Sequence, residues 1–319
     1  MRPLLIALPL AALAMLVTPV SAQDSAPDEE GMQEEATLDQ APPEGGDIGW
    51  DAEPIIVEGL REAEERVEVM TRKITRRPRV DKPISKFYSE ACFGVFGMDE
   101  AYAAAIIDRM QEHARRLNIP VGGEGCQVNV LVGFVADGVE EVEKLRRTEP
   151  KLFGSLLDYE YRRIMRGNGA VQAWHGTTVK SSDGREFSGA TTDDGDSYSI
   201  NRQYGGSTRL GQPIRVDMDG AIVLIDAKRT PGKTVRQLAD YAAMRAFVSV
   251  DDTSEGGGSG IETILSLFDE DVIAPEGLTR FDKAYLEAVY KLPANATGQR
   301  IHDATWSIYR GEQGDEDEG

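Results

Sequence analysis

Two largely apolar runs constrain this chain more than any other feature. One covers residues 128–135, and the other, Ile222 to Ile225, lies within residues 220–227. A short apolar run bounded by turn residues is typical of a buried strand. Segments with helical periodicity alternate with these runs. The order of elements therefore predicts an α+β domain with a small mixed sheet and several helices.

Helix signals flank both runs. Asp99 is expected to cap a helix whose apolar face carries Tyr102, and Thr279 to Asp282 has the form of a capping box. Residues 181–206 are rich in Gly, Ser, Asp and Thr, which predicts a long hairpin or an irregular excursion. The sequence predicts helices over 60–75, 99–117, 139–166 with a break at Pro150, 235–250, 279–292 and 296–309, and a further strand over 171–179.

The first 22 residues have the pattern of a secretory leader. Arg2 precedes an apolar run from Leu4 to Val17, and Val20 and Ala22 supply the small residues expected before a signal-peptidase cut. A run of this length is too short to cross a hydrocarbon core of roughly 30 Å as a helix. We expect cleavage after Ala22, a periplasmic or secreted product, and no stable membrane insertion afterwards. An uncleaved anchor is the alternative.

Cys92 and Cys126 are the only two cysteines. An oxidising compartment favours joining them in a disulfide bond over keeping two thiols. The alternative is a cysteine nucleophile, but neither residue has a local sequence signature for one. We predict the disulfide.

The negative charge is concentrated at the two ends of the chain. Residues 23–54 contain eleven acidic and no basic residues, and residues 311–319 contain five acidic and no basic residues. Such segments are typical of solvated, disordered chain. We therefore predict a leader (1–22), an acidic disordered segment (23–54), a single α+β domain (55–310) and an acidic disordered tail (311–319). An acidic protein is a poor partner for nucleic acid, because phosphate binding needs a basic face.

The sequence contains no complete catalytic motif. Its three histidines, at positions 113, 175 and 302, lack the spacing of a zinc peptidase, and Ser259 lacks the second glycine of a nucleophile elbow. The Asp193 to Asp196 stretch could bind calcium, but it is more typical of an ordinary turn. We predict no cofactor and no metal.

One unfamiliar catalytic arrangement remains as an alternative. Asp226 ends a predicted strand, Asp240 lies on the next helix, and His175 follows Trp174 in another strand. Together they could form the site of a hydrolase if they met in space. The preferred hypothesis is a non-catalytic exported protein that binds an envelope protein or a peptide as its partner.

Several motifs resemble uncharacterised exported proteins of alphaproteobacteria. They are residues 55–61 (IIVEGLR), 91–95 (ACFGV), 125–130 (GCQVNV) and 238–241 (LADY). This resemblance carries no known activity. The segment Ile55 to Gly59 is also similar to the short segment with which outer-membrane receptors engage an energy-transducing partner. It could act in that way, by adding a strand to a partner sheet, or be the first strand of the domain, which we favour.

A second resemblance is to metzincin-like proteins. Residues 266–268 (SLF) and 278–282 (LTRFD), with Tyr285-Leu286 and Tyr290, are similar to segments that follow the active-site helix in relatives of that group. The helix that would carry the metal contains Leu238 to Ala242, which lacks every expected ligand and the general base. The resemblance implies a zincin-like fold without its zinc.

Overall fold

The computed structural model describes residues 55–76, 83–166, 169–186, 189–191, 197–199, 214–251, 260–270, 272–298 and 300–316. These residues form seven strands: β1 (Ser85–Lys86), β2 (Phe93–Phe96), β3 (Val130–Val135), β4 (Val171–Ser181), β5 (Gly189–Thr191), β6 (Ser197–Ser199) and β7 (Ile214–Asp226).

The same residues form seven α-helices and three short 3-10 helices. The α-helices are α1 (Ile55–Ile74), α2 (Glu100–Arg116), α3 (Gly138–Thr148), α4 (Asp158–Arg166), α5 (Val235–Phe247), α6 (Arg280–Lys291) and α7 (Arg300–Glu316). The 3-10 helices are Pro150–Phe153, Ala227–Arg229 and Ile264–Phe268.

The main sheet is built around the long strand β7. Along one side, β7 pairs in parallel with β1 near Val216 and with β3 from Ala221 to Asp226, and β3 in turn pairs in parallel with β2. Along its other side, β7 pairs with β4, which runs antiparallel to it with a bulge between Gly176 and Thr177. Within the described residues, β7 is the only strand that pairs with β4, so β4 forms one edge of the sheet as far as the structure describes it.

Helices cover both faces of this sheet. On one face, α1, α2, α5 and α6 bury the larger apolar core against β3 and β7. On the other face, α3, α4 and the Pro150–Phe153 turn bury a smaller core around Trp174, Ile222 and Leu224. This explains the two apolar runs, because a strand that is covered on both faces needs apolar side chains along its whole length.

The α+β class, the main helices and the disulfide bond are confirmed. Asp99 accepts a hydrogen bond from the backbone N–H of Ala101, and Thr279 and Asp282 form the predicted capping box. The Cys92–Cys126 bond joins the start of β2 to the loop before β3. Part of the excursion after β4 is a short hairpin, since β5 and β6 pair antiparallel.

Three expectations were wrong. Ile55 to Gly59 is the first part of α1 rather than a strand, because the helix formers that follow continue the helix and outweigh the β-branched residues. Tyr102 does not face the core and is 55% exposed. Helix α7 continues to Glu316, past the end predicted at residue 309, because Glu and Gln have high helix propensity.

Several expectations lie outside the described residues. These are the leader, the acidic segment 23–54, the Asp193 to Asp196 turn and Ser259.

Candidate functional site

A cleft opens beside the edge strand β4, where α4, α6 and the end of α1 approach it. Its volume is about 240 Å³. We call it the edge cleft. Apolar side chains form part of its wall, and the polar and charged residues that line it are Thr75, Arg76, Ser85, Ser155, Tyr159, Glu160, Arg163, His175, Thr177, Ser249 and Tyr285.

The charged residues give the edge cleft a positive balance. Arg76, just after α1, and Arg163, on α4, both line it, and Glu160 is the only carboxylate among the described residues of its lining. Guanidinium groups present planar sets of donors that match carboxylates. The cleft therefore suits a group with negative charge better than one with positive charge.

His175 is held in place by the end of the central helix. Its Nε2 donates a hydrogen bond to the carbonyl oxygen of Ala246, at 3.1 Å, and the residue is buried. Because a carbonyl can only accept, Nε2 carries a proton. His175 thus lines a cleft and is also a hydrogen-bonded structural residue.

Tyr285 contributes a protonated hydroxyl to the cleft wall. Thr75 Oγ1 donates to the carbonyl of Thr71, so at the 3.1 Å contact between Thr75 and Tyr285 the tyrosine hydroxyl is the donor. Burial raises the pKa of Tyr285 to about 12, and the hydrogen bond with Thr75 opposes the rise only in part. This group is not suited to exchange protons near neutral pH.

Ser155 forms hydrogen bonds with the backbone of β4 at the outer edge of this strand. Its hydroxyl donates to the carbonyl of His175, at 3.4 Å, and accepts from the backbone N–H of Thr177, at 3.2 Å. A residue of a neighbouring strand would supply one N–H and one C=O at such positions. One side chain therefore occupies the hydrogen-bonding groups that an additional strand would use.

A second cavity, of about 540 Å³, lies on the other face of β4. Trp174 and Gly176 line this second cavity, whereas His175 lines the edge cleft, as expected when successive residues of a strand face opposite sides. Ser155 and Thr177 line both spaces. The Ser155 contact therefore separates two cavities that border the same strand edge.

Two paired glycines form the floor of the second cavity. Gly176 pairs with Gly220 across β4 and β7. A Cβ at Gly220 would lie 2.6 Å from the carbonyl oxygen of Asn129, so a glycine is required there. At Gly176 the nearest atom to such a Cβ would be 4.0 Å away, and its φ is not positive. The internal packing leaves room for a side chain at Gly176.

Asp240 does not reach either cavity. It is fully buried on α5 and accepts hydrogen bonds from Arg109, His113 and the backbone N–H of Leu278. Burial by itself would raise its pKa, but the hydrogen bonds from His113 and Arg109 outweigh burial and hold the pKa of Asp240 below its usual range. Helix α5 is thus a central structural element.

The three residues of the alternative catalytic arrangement have different environments. Asp226 caps the 3-10 helix after β7 by accepting a hydrogen bond from the N–H of Lys228, at 2.8 Å. Asp240 is enclosed, and His175 alone of the three lines the edge cleft. No group of three potential metal ligands is found among the described residues.

Sequence reasoning missed the residues that define this site. Ser155 carries no motif, and Arg76 and Arg163 are ordinary surface residues by pattern. The one available signal was Gly176, a glycine inside a predicted strand, which often marks a bulge or a close approach of another molecule.

Comparisons with family models, with curated proteins and with solved structures find no match for this chain. Within the described residues, no helix has the length and apolar character needed to cross a membrane. The site geometry is therefore the main basis for inferring function.

Proposed function

We propose that this protein is an exported, non-catalytic binding protein. Its ligand is an extended peptide segment of an envelope partner, which adds a strand to the outer edge of β4. Strand addition is a common mode of peptide recognition, in which main-chain hydrogen bonds supply affinity and side-chain pockets supply specificity.

The observation that carries the proposal is the bond pattern of Ser155. The carbonyl of His175 and the N–H of Thr177 point away from β7, and a single hydroxyl satisfies both. The bond from the N–H of Thr177 is exposed and the bond to the carbonyl of His175 is only partly buried, so both backbone groups are accessible to a ligand that approaches from solvent. A hydroxyl on the loop before α4 is exchangeable for a peptide main chain that makes the same two bonds.

The cavities support the same proposal. An added strand directs alternate side chains to opposite faces, and β4 has a cavity on each face at this position. The alternative function, a hydrolase that uses Asp226, Asp240 and His175, has less support, because only His175 lines the edge cleft.

Two features support export. The first 22 residues have the pattern of a cleavable leader, and the Cys92–Cys126 disulfide is of the kind that persists in oxidising compartments. Both are consistent with a mature protein that meets its partner in the cell envelope.

The decisive experiment removes the N–H of Thr177. A Thr177→Pro variant lacks this donor, and proline is tolerated where the N–H of an edge strand points outward. Thr177→Val keeps the N–H and the side-chain shape. Each purified protein is used to select from a library of random nine-residue peptides displayed on phage, with far-ultraviolet circular dichroism as a check of folding.

We expect the wild-type protein and Thr177→Val to enrich peptides, and the selected peptides to bind Thr177→Pro at least tenfold more weakly. Ser155→Ala should bind them more tightly than the wild-type protein, because the competing hydroxyl is gone. Equal binding by folded Thr177→Pro, or no enrichment by any form, would refute strand addition at this edge.

A further inference from the structure

The two cavities beside β4 differ in size and in chemistry. This difference indicates which side chains a bound peptide would carry. We infer that the peptide recognised at this edge carries an aromatic residue opposite Gly176 and an acidic residue next to it. This inference rests on the proposed function and adds the ligand class.

The residue opposite Gly176 must face the second cavity. The carbonyl of His175 and the N–H of Thr177 flank Gly176, so the peptide residue between the two new hydrogen bonds lies directly across from this glycine. Directly opposed residues project to the same face of a sheet. On this face Gly176 lines the second cavity.

An aromatic ring fits this position best. Gly176 and Gly220 leave the sheet surface bare, and Leu152, Trp174 and Ile222 supply apolar surface around it. An aromatic side chain that lies across a glycine in the neighbouring strand covers the exposed backbone, a recurrent way to stabilise sheet edges. Because the cavity holds about 540 Å³, even the largest side chain can enter.

The neighbouring peptide residue faces the edge cleft. Side chains alternate along a strand, so a residue next to the aromatic one points to the side lined by His175. This space is smaller, at about 240 Å³, and Arg76 and Arg163 both line it. A carboxylate is the side-chain group that complements guanidinium donors best.

Gly176 provides the first test. A nine-residue peptide of alternating serine and threonine with a central aspartate and phenylalanine is compared with the same peptide carrying alanine for phenylalanine, by fluorescence anisotropy. The wild-type protein should bind the phenylalanine peptide at least tenfold more tightly. Gly176→Leu fills the floor of the second cavity, so it should remove this preference, and Gly176→Ala should reduce it.

Arg163 provides the second test. Replacing the peptide aspartate by asparagine should weaken binding to the wild-type protein at least threefold, and Arg163→Gln should abolish this difference. Arg162→Gln is the matched control, because Arg162 is exposed on the same helix and does not line the cleft.

The outcomes separate the two proposals. If the library selection yields peptides but the wild-type protein binds the phenylalanine and alanine peptides equally, or the selected peptides lack aromatic and acidic residues, the sequence preference is refuted and strand addition stands. If no peptide binds the wild-type protein, the proposed function itself is refuted. A tenfold preference that Gly176→Leu leaves intact would also refute the inference.

Discussion

Arg109 on α2 donates two hydrogen bonds to the carboxylate of Asp240 on α5. Its Nε lies 2.7 Å from one carboxylate oxygen and its Nη2 lies 3.2 Å from the other. His113, one turn further along α2, contacts the first of these oxygens through Nε2, at 2.6 Å. Hydrogen bonds from two side chains of α2 therefore hold α5 in its position against the sheet.

We expect Asp240→Asn to destabilise the protein by about 3 to 5 kcal/mol, because it leaves the partly buried guanidinium of Arg109 without its counter-charge at a fully enclosed position. The measurement is the free energy of unfolding in urea. Glu112→Gln is the matched control, since Glu112 also pairs with Arg109 but its side chain is 43% exposed. Its effect should stay below about 1 kcal/mol. Equal losses for the two variants would show that the Asp240 network contributes little.

The disulfide bond should make a large contribution to stability. It closes a loop with a sequence separation of 34 between Cys92 and Cys126. The chain-entropy relation then gives a stabilisation of about 4 kcal/mol. Adding reductant during urea unfolding should lower the unfolding free energy of the wild-type protein by an amount of this order. The double variant Cys92→Ala, Cys126→Ala should not respond to reductant, and a response in that variant would point to another cause.

Lys86 should stabilise the end of α6. Burial lowers the pKa of Lys86 to about 8, and its Nζ donates to the carbonyl oxygens of Val289, Tyr290 and Leu292. Lys86→Met should cost about 1 to 3 kcal/mol in thermal or urea unfolding, because these carbonyls lose their donor. Lys291→Met, at an exposed position on the same helix, should be close to neutral. An unchanged free energy of unfolding for Lys86→Met would mean that water replaces the ammonium group as the donor to these carbonyls.

Asp282 should impose an unusual pH dependence on stability. Burial raises the pKa of Asp282 from 3.8 to about 6, although Thr263, Ile264 and Thr279 donate hydrogen bonds to it. The folded state then binds more protons than the unfolded state between these two values, so the contribution of Asp282 falls as pH rises through this window. Once the pH is above the folded pKa of about 6, the contribution of Asp282 to stability falls no further.

The test compares the wild-type protein with Asp282→Asn. The difference in unfolding free energy, wild type minus variant, should decrease by about 3 kcal/mol at most between pH 4 and pH 7. Other titrating groups cancel in this difference. A constant difference across this range would show that Asp282 is already ionised near pH 4 in the folded protein.

Local signals in the sequence were sufficient for most elements of the fold. The cap at Asp99 and the capping box from Thr279 to Asp282 rest on side-chain contacts within a few residues, so their patterns can be recognised without the fold. The strand expected at Ile55 failed because the β preference of three residues is weaker than the cooperativity of the helix that follows.

The candidate site depended on contacts between distant segments. Ser155 meets β4 across 20 and 22 residues of chain, and Arg109 meets Asp240 across 131. Neither pairing leaves a local pattern. His175 and Asp240 looked equally suitable for chemistry by residue type, and only the fold placed one in a cleft and enclosed the other.

The sequence by itself determined the apolar strands, the capped helix starts at Asp99 and Thr279, the uneven charge and the single pair of cysteines, because each depends on composition or on neighbours along the chain. The tertiary structure alone decided which strand would form an edge, which hydroxyl would cap it, and which face of that strand would border each cavity. Those properties arise when segments far apart in the chain pack together, and the free energy of that packing is not encoded at any one position.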